Sequence, residues 1–205
     1  MCSATTARIG VYVNCWQHRS LYSVLQAIID DFKVLGAEAQ DTNVKLGRIQ
    51  QVFRGRPAVI VLDEIDRPMP AARDAIIYGL LRLPHTGLIC IAESTRALAM
   101  LDERVRSRLG SLVIELPPYT TNQIRQIVTD RARRALMPGS WSPAIIRRLA
   151  AGAAGDARLA IQGLRHAAAA AEDAGHTTLD SRSTEGYLRQ WQAIRQEARF
   201  TALPG

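Results

Sequence analysis

The sequence predicts an α/β protein in which a parallel sheet with flanking helices is followed by a smaller, all-helical part. In the first part, strand-like apolar runs alternate with helical patterns, which is typical of a parallel sheet covered by helices. Residues 58–62 (AVIVL) are apolar throughout, as expected of a strand covered on both faces. Only helical patterns follow Pro117-Pro118, so we predict two domains, residues 1–117 and 118–205.

Four segments are predicted as strands. Residues 8–15 (RIGVYVNC) alternate in polarity and are rich in valine and tyrosine, a composition that favours a strand. Residues 58–62, 87–92 (GLICIA) and 111–116 (SLVIEL) are short apolar runs. Runs of this length indicate buried strands rather than helices.

Helical periodicity accounts for most of the remaining chain. The apolar side chains of residues 20–32 fall on one helical face, and Ser20 suits the N-cap. Residues 46–53 and 73–83 are shorter helical patterns, whereas residues 33–45 are polar and irregular. In the second part, helices are predicted at residues 121–136, 142–151, 156–174 and, from a weaker pattern, 184–200.

Composition narrows the functional classes. The net charge is +7, and Lys33 and Lys45 are the only lysines, so nearly all positive charge is arginine. Such a balance fits nucleic-acid binding through phosphate contacts, although a generally basic surface explains it equally well. No apolar run is long enough to span a membrane and no signal peptide precedes the first strand, so we predict a cytoplasmic protein. The three cysteines and four histidines are scattered, which predicts neither a disulfide framework nor a metal site of their own.

Two adjacent carboxylates, Asp63 and Glu64, follow the apolar run at residues 58–62. Ligands of open α/β sheets bind at the carboxyl ends of the strands. In a nucleotide-hydrolysing protein, Asp63 would hold Mg²⁺ through water and Glu64 would polarise the attacking water. The alternative is a strand that simply ends in exposed acids.

Two further segments point to a family. Residues 101–109 read LDERVRSRL, and residues 155–161 read GDARLAI. Together with VYVNC at residues 11–15 and DEID at residues 63–66, in this order, they resemble archaeal AAA+ replication initiators related to origin recognition complex subunit 1 and cell division control protein 6. PYT after the last strand and QGLR after GDARLAI also look like that family. The resemblance covers roughly residues 9–175 and rests on the ordered set of motifs.

The resemblance implies an ATPase that binds ATP or ADP with Mg²⁺ and assembles on origin DNA with other initiator subunits or the replicative helicase. It places Asp63 and Glu64 in the catalytic site and Arg108 at the arginine finger that reaches a neighbouring subunit's nucleotide. A fixed guanidinium suits the charge that develops on a transferring phosphoryl group. The alternative for Arg108 is a surface arginine in a basic helix, and Arg104 and Arg106 are weaker candidates for the finger.

Arg158 matches sensor 2, by which the family's helical lid contacts the γ-phosphate. Alternatively, Asp156 caps this helix and Arg158 belongs to a surface ion pair. Glu93 stands at the sensor 1 position, where the family usually carries asparagine. An ionised carboxylate cannot donate a hydrogen bond and adds like charge near Glu64, so weakened hydrolysis is expected. If the register shifts by one residue, Ser94 takes this position instead.

The motif G-x-x-x-x-G-K-[ST], which cradles phosphates, does not occur in the 205 residues. In the family this loop lies upstream of the first strand, on a strand between those predicted at residues 87–92 and 111–116. We therefore expect a gap in the sheet, uncovered apolar surface and weak ATP binding by the chain alone. A calorimetric titration that shows a Kd near ~1 µM would contradict this expectation.

Two other family elements that contact DNA differ here. A winged-helix domain follows the lid in the family, and residues 201–205 end near where it would start. Residues 33–45 occupy the place of the family's initiator-specific insertion, but they carry few charges, which favours a solvated loop.

The leading hypothesis is a truncated or degenerate AAA+ ATPase of replication initiation, acting in origin recognition or helicase loading, with weak or no hydrolysis by itself. One alternative is a non-hydrolysing regulatory subunit that acts in trans on another AAA+ ATPase. Another is a clamp-loader-like or mobile-element ATPase. The SRL element at residues 107–109 is shared with clamp loaders, whereas VYVNC and GDARLAI favour the initiators.

Overall fold

The computed structural model describes residues 9–33, 41–110 and 112–180, together with residues 184, 186, 187 and 189. These residues form two compact units, which divide between Val113 and Ile114. The first unit combines strands and helices, and the second is helical. The predicted fold class, a partial AAA+ parallel sheet with flanking helices followed by an all-α lid, is confirmed.

Three strands form the sheet of the first unit, in the order β1-β2-β3, and both pairings are parallel. Ile9 of β1 lies opposite Ala58 of β2, which in turn lies opposite Thr86 of β3. The elements of this unit are β1 (Ile9–Asn14), α1 (Leu21–Asp31), α2 (Thr42–Phe53), β2 (Ala58–Asp63), α3 (Pro70–Leu80), β3 (Thr86–Cys90), α4 (Arg96–Ala99) and α5 (Glu103–Leu109).

One face of this sheet forms the core of the first unit. Val11 and Val13 of β1 and Ile60 and Leu62 of β2 are buried together with apolar residues of α1, α2 and α3. Alternate residues point to opposite faces of a strand, so each of these pairs contributes to the same face. The burial of this face removes apolar surface from water and so stabilises the unit.

The expectation that β2 is covered on both faces is wrong. The other face of the sheet, which carries Tyr12, Val59 and Ile89, is exposed, with 61% and 50% of Tyr12 and Ile89 accessible. The helices α1, α2 and α3 contribute their apolar residues to the core on the opposite face of the sheet. An apolar run therefore identified the strand correctly but did not reveal how many of its faces are covered.

The predicted strand at residues 111–116 is also not observed. Residues 112–116 have no regular secondary structure, and Leu112 and Leu116 are 89% and 87% exposed. A strand forms only when a neighbour accepts and donates its backbone hydrogen bonds. Among the described residues, β3 pairs with β2 alone, and no strand pairs with residues 112–116.

The segment predicted as polar and irregular at residues 33–45 is partly helical. α2 begins at Thr42, because Asp41 accepts a hydrogen bond from the backbone of Asn43 at 3.2 Å and caps the helix. Lys45 is fully buried; its Nζ donates to Gln26 Oε1 and lies 3.6 Å from the centroid of the Tyr22 ring. The lysine therefore links α2 to α1 instead of belonging to a solvated loop. Residues 34–40 lie outside the described residues.

Local capping explains where the other helices begin. Ser20 is the N-cap of α1, as predicted, and forms a capping box with Ser23. α3 begins at Pro70, earlier than residue 73, because proline is favoured in the first turn of a helix. It ends at Leu80, three residues before the predicted end at residue 83.

The second unit contains α6 (Thr121–Ala135), α7 (Pro143–Gly152) and α8 (Ala157–Asp173). Thr120, Ser142 and Asp156 cap these helices in turn. Their buried apolar residues form a second core. Of the helix predicted at residues 184–200, residues 184, 186, 187 and 189 are helical, and the others lie outside the described residues. None of the described helices is both long and apolar enough to cross a membrane.

Candidate functional site

Asp63 is the last residue of β2 and lies opposite Asn14 of β1 in the register. The Tyr12 hydroxyl donates to Asp63 Oδ2 at 2.5 Å, and the Glu64 backbone N–H donates to Oδ1 at 2.9 Å. Each oxygen of the carboxylate thus accepts one hydrogen bond. The two bonds orient the side chain at the carboxyl edge of the sheet, the place where ligands of such sheets bind.

Tyr12 is a site residue that the sequence did not reveal. Its hydrogen bond to Asp63, with smaller contributions from desolvation and the Asp63 charge, raises the pKa of Tyr12 above its ordinary value. The phenol therefore remains protonated and able to donate at neutral pH. The alternation of β1 was the signal in the sequence that could have revealed Tyr12. Tyr12 and Asn14 are two residues apart and share a face of the strand, and Asn14 lies opposite Asp63.

Glu64 adopts a left-handed backbone conformation with φ 54°. Such a conformation is uncommon for a residue other than glycine, and strained positions cluster at functional sites. Hydrogen bonds hold the turn on both sides: the Arg67 N–H donates to the Glu64 carbonyl at 3.0 Å, and the Ile65 N–H donates to the Ile91 carbonyl at 3.1 Å. The second of these bonds ties the turn to the segment that follows β3.

Glu93 lies in that segment, three residues after the end of β3. Its side chain is 76% exposed and forms an ion pair with Arg67, with 3.2 Å between the guanidinium and carboxylate atoms. Arg67 also lies 5.2 Å from the centroid of the Trp16 ring. We expected Glu93 to add like charge near Glu64; the ion pair with Arg67 partly offsets that charge.

The residues present at this edge are compatible with Mg²⁺ held through water. Each carboxylate oxygen has two lone pairs and uses one of them here, so Asp63 can accept further hydrogen bonds from metal-bound water. Mg²⁺ commonly keeps several waters and takes its other ligands from nucleotide phosphates. Among the described residues, no group of three or more histidine, cysteine or acidic side chains could hold a metal ion by itself.

Two cysteines lie near the same edge, Cys15 directly after β1 and Cys90 at the end of β3. Burial raises the pKa of Cys15 to about 12 and that of Cys90 to about 11, from an ordinary value of 9.0. Both thiols therefore stay protonated at neutral pH. Because the thiolate is the reactive form, neither cysteine is suited to act as a nucleophile.

Arg108 lies in the last turn of α5 and is exposed. Its guanidinium carbon is 5.0 Å from the centroid of the Tyr78 ring on α3, a distance at which a cation is attracted to the ring face. Arg104 and Arg106, the weaker candidates, are exposed on the same helix. The structure thus distinguishes Arg108 by an aromatic contact that the sequence did not indicate.

Arg158 is the second residue of α8 and is exposed. Asp156 caps this helix, and its Oδ1 accepts a hydrogen bond from the Leu159 N–H at 3.0 Å. The alternative interpretation, in which Asp156 caps this helix, is therefore observed as far as the cap is concerned. Asp63, Glu64 and Glu93 share one edge of the sheet in the first unit, whereas Arg158 belongs to the second unit.

The second unit brings two sequence motifs into contact. The Tyr119 N–H donates to the Gly155 carbonyl at 3.2 Å, so PYT meets the start of GDAR. Gly155 has φ 88°, and a Cβ placed there would lie 2.9 Å from Pro118 Cβ and 3.4 Å from the Tyr119 carbonyl oxygen. Glycine is therefore required here both by the backbone angle and by the close approach of Pro118.

Comparison with known proteins places this geometry in a family. A family model described as the Cdc6 AAA+ ATPase-type lid domain matches residues 125–184. ORC1-type DNA replication protein 9 of Halobacterium salinarum is 37% identical over 168 residues, which cover 80% of this chain and 46% of that protein. The ORC1-type DNA replication protein of Pyrococcus furiosus is 33% identical over 200 residues, covering 89% of this chain and 46% of that protein.

A solved structure is similar over nearly the whole chain. The Aeropyrum pernix ORC1 protein in complex with DNA matches with a TM-score of 0.79 and 28% identity, covering 98% of this chain and 55% of that one. The chain spans about half the length of the relatives it matches. The order of motifs, the sheet, the lid match and these relatives agree, and the chain belongs to the archaeal ORC1/Cdc6 family of AAA+ proteins.

Proposed function

We propose that this chain is an AAA+ module of DNA replication initiation, with a site at the carboxyl edge of its sheet that binds ATP and Mg²⁺ only weakly in the chain alone, and that it associates with DNA and other initiator subunits. The observation that carries the proposal is the oriented carboxylate of Asp63 at the end of β2, directly followed by Glu64 in a strained turn. Family membership supports the context of replication initiation.

Within this proposal Asp63 holds the water shell of Mg²⁺, and Tyr12 keeps the carboxylate in place. Glu64 lies at the same edge and polarises the water that attacks the γ-phosphate. Arg158 contacts the γ-phosphate as sensor 2, and Arg108 stabilises the charge on the nucleotide of a neighbouring subunit. Mg²⁺ itself would neutralise charge on the phosphate oxygens when bound.

A second function is favoured by one observation, the exposed Arg108 seated on the Tyr78 ring. A chain that binds ATP weakly can still supply a finger to a partner's nucleotide. In that case it acts as a non-hydrolysing regulatory subunit in trans, and hydrolysis takes place entirely in the partner.

ATP-dependent association tests the proposal. Sedimentation velocity of the chain with a full-length ORC1-type initiator and a labelled duplex should show a joint complex with ATP and Mg²⁺, and less of it with ADP. Asp63→Ala should reduce the complex, because it removes the carboxylate at the strand end. Glu172→Gln, which neutralises an exposed acid of α8, is the matched control and should leave the complex unchanged. Association that is absent with every nucleotide would refute the proposal.

A further inference from the structure

The first unit has a concave surface with a volume of about 680 Å³, lined by Arg48, Gln51, Val52, Arg54 and Arg56. We call it the arginine pocket. It lies at the carboxyl end of α2 and in the loop before β2. In that loop the Pro57 carbonyl accepts a hydrogen bond from the N–H of Ile9, the first residue of β1. The pocket is thus at the amino-terminal edge of the sheet, opposite the edge that carries Asp63.

The backbone of the pocket has an unusual feature. Arg54 and Gly55 both adopt left-handed conformations, with φ 49° and 70°. The residue that ends a helix in this conformation is usually glycine, which has no Cβ and adopts it without strain. An arginine at this position is therefore less favourable for folding than a glycine, and the exposed Arg54 side chain adds no buried contact in return.

The charges that the described lining residues bring to the pocket are all positive. Among these residues, three are arginines and none is acidic. Arg56 is held in place because its Nε donates to the Phe53 carbonyl at 3.3 Å and its Nη2 donates to the Val52 carbonyl at 3.4 Å. A helix carboxyl terminus carries roughly −0.5 of an elementary charge. The guanidinium charges of Arg54 and Arg56 already exceed what that terminus needs, so the surface attracts an anion.

The composition of the pocket selects the kind of anion. Among the described residues that line it, Val52 is the one apolar residue and none is aromatic. Small-molecule sites are mostly apolar or aromatic, and single-stranded nucleic acids bind where bases stack on aromatic rings. A duplex keeps its bases stacked inside and presents only phosphates and sugars along its backbone. Guanidinium groups match phosphate oxygens in geometry and charge.

We propose that the arginine pocket binds backbone phosphates of duplex DNA. The proposal rests on the association with DNA proposed above and adds a contact surface for it. That surface lies on the opposite edge of the sheet from the nucleotide site, so a duplex seated there leaves Asp63 and Glu64 accessible. Because only phosphates are contacted, binding through this pocket is independent of sequence.

Fluorescence anisotropy of a labelled duplex of arbitrary sequence, titrated with the whole chain at several salt concentrations, tests this proposal. Arg54→Gly removes one charge and relieves the left-handed strain. It should weaken duplex binding and lower the slope of log K against log[salt] by about 1. The same substitution should raise the Tm, because glycine suits this backbone angle better. Weaker binding by a more stable protein cannot result from misfolding.

The matched control carries the same change in charge elsewhere in the first unit. Arg48→Gln/Arg54→Gln/Arg56→Gln removes the three pocket charges, and Arg96→Gln/Arg104→Gln/Arg106→Gln removes three exposed charges of α4 and α5. The pocket variant should lower the salt slope by up to about 2.7, and the control should change it little. Equal losses in both variants would show a generally basic surface and overturn the proposal. Binding by the wild-type chain with no loss in the pocket variant overturns the pocket alone. No binding by the wild-type chain overturns the proposed association with DNA as well.

Discussion

Arg108→Ala should abolish the stimulation that this chain gives to the ATPase activity of a full-length ORC1-type partner. Arg108 is exposed and rests on the Tyr78 ring, so its guanidinium is available to a neighbouring nucleotide. An arginine finger contributes roughly 10³ to 10⁵ in kcat in phosphoryl transfer. The measurement is the steady-state rate of phosphate release by the partner, with saturating wild-type or variant chain. The variant should leave the partner at its basal rate.

Variants of Tyr78 test whether the contact with its ring is needed for Arg108 to act as a finger. A cation–π contact at an exposed site contributes about 0.5 to 1 kcal/mol, so Tyr78→Ala should lower the stimulation by about two- to five-fold. Tyr78→Phe retains the ring and should behave as the wild-type chain. Arg104→Ala, on the exposed surface of the same helix, serves as the charge-matched control. If the stimulation survives Arg108→Ala but is lost in Arg104→Ala, the finger is Arg104 and not Arg108.

Gly155→Ala should destabilise the second unit by about 3 kcal/mol, from backbone strain and overpacking together. The left-handed angle accounts for about 1 to 2 kcal/mol of this loss. The remainder arises because the new Cβ would lie 2.9 Å from Pro118 Cβ and 3.4 Å from the Tyr119 carbonyl oxygen. Chemical denaturation followed by circular dichroism and by tryptophan fluorescence measures the change. Trp16→Phe and Trp191→Phe in the background leave Trp141 as the fluorophore, and Trp141 packs against the core of this unit.

Gly139→Ala is a close control for this substitution. Gly139 also has a left-handed angle, φ 83°, but a Cβ there meets nothing within 4 Å. It should therefore lose only the backbone contribution, about 1 to 2 kcal/mol. The difference between the two variants measures the contact between Gly155 and Pro118. If both lose the same free energy of unfolding, that contact does not constrain the lid.

The substitution of Gly155 also affects Arg158, the proposed sensor 2 residue. Gly155 directly precedes Asp156, which caps α8, and Arg158 is the second residue of that helix. A shift of the backbone at Gly155 therefore displaces the cap and the guanidinium together. The motif GDAR combines a steric requirement, a helix cap and a candidate phosphate contact within four residues, which explains why these residue types occur side by side.

Features set by neighbours in the chain were predictable from the sequence. The periodicity of α1 and its N-cap Ser20 depend on residues within a few positions of one another, and the structure confirms them. The apolar runs of β2 and β3 identified two strands for the same reason. The ordered motifs likewise identified the family, because they are read along the chain without knowledge of its folding.

Features that join distant residues were decided by the tertiary structure. The Tyr12 hydroxyl meets Asp63, 51 positions away, and Lys45 is buried against Gln26 and Tyr22. Neither contact leaves a periodic signal in the sequence, since each depends on how the elements pack.

The carboxylates at the end of β2 illustrate both kinds of feature. The sequence alone determined that Asp63 and Glu64 lie at the end of a strand and that the chain is an α/β protein with a helical second part. Only the tertiary structure decided that Tyr12 orients Asp63, that Arg67 offsets Glu93, and that residues 112–116 form no strand. The physical reason is that strand pairing, burial and ion pairs depend on which surfaces meet, whereas helix caps and apolar periodicity are determined within a few residues of the chain.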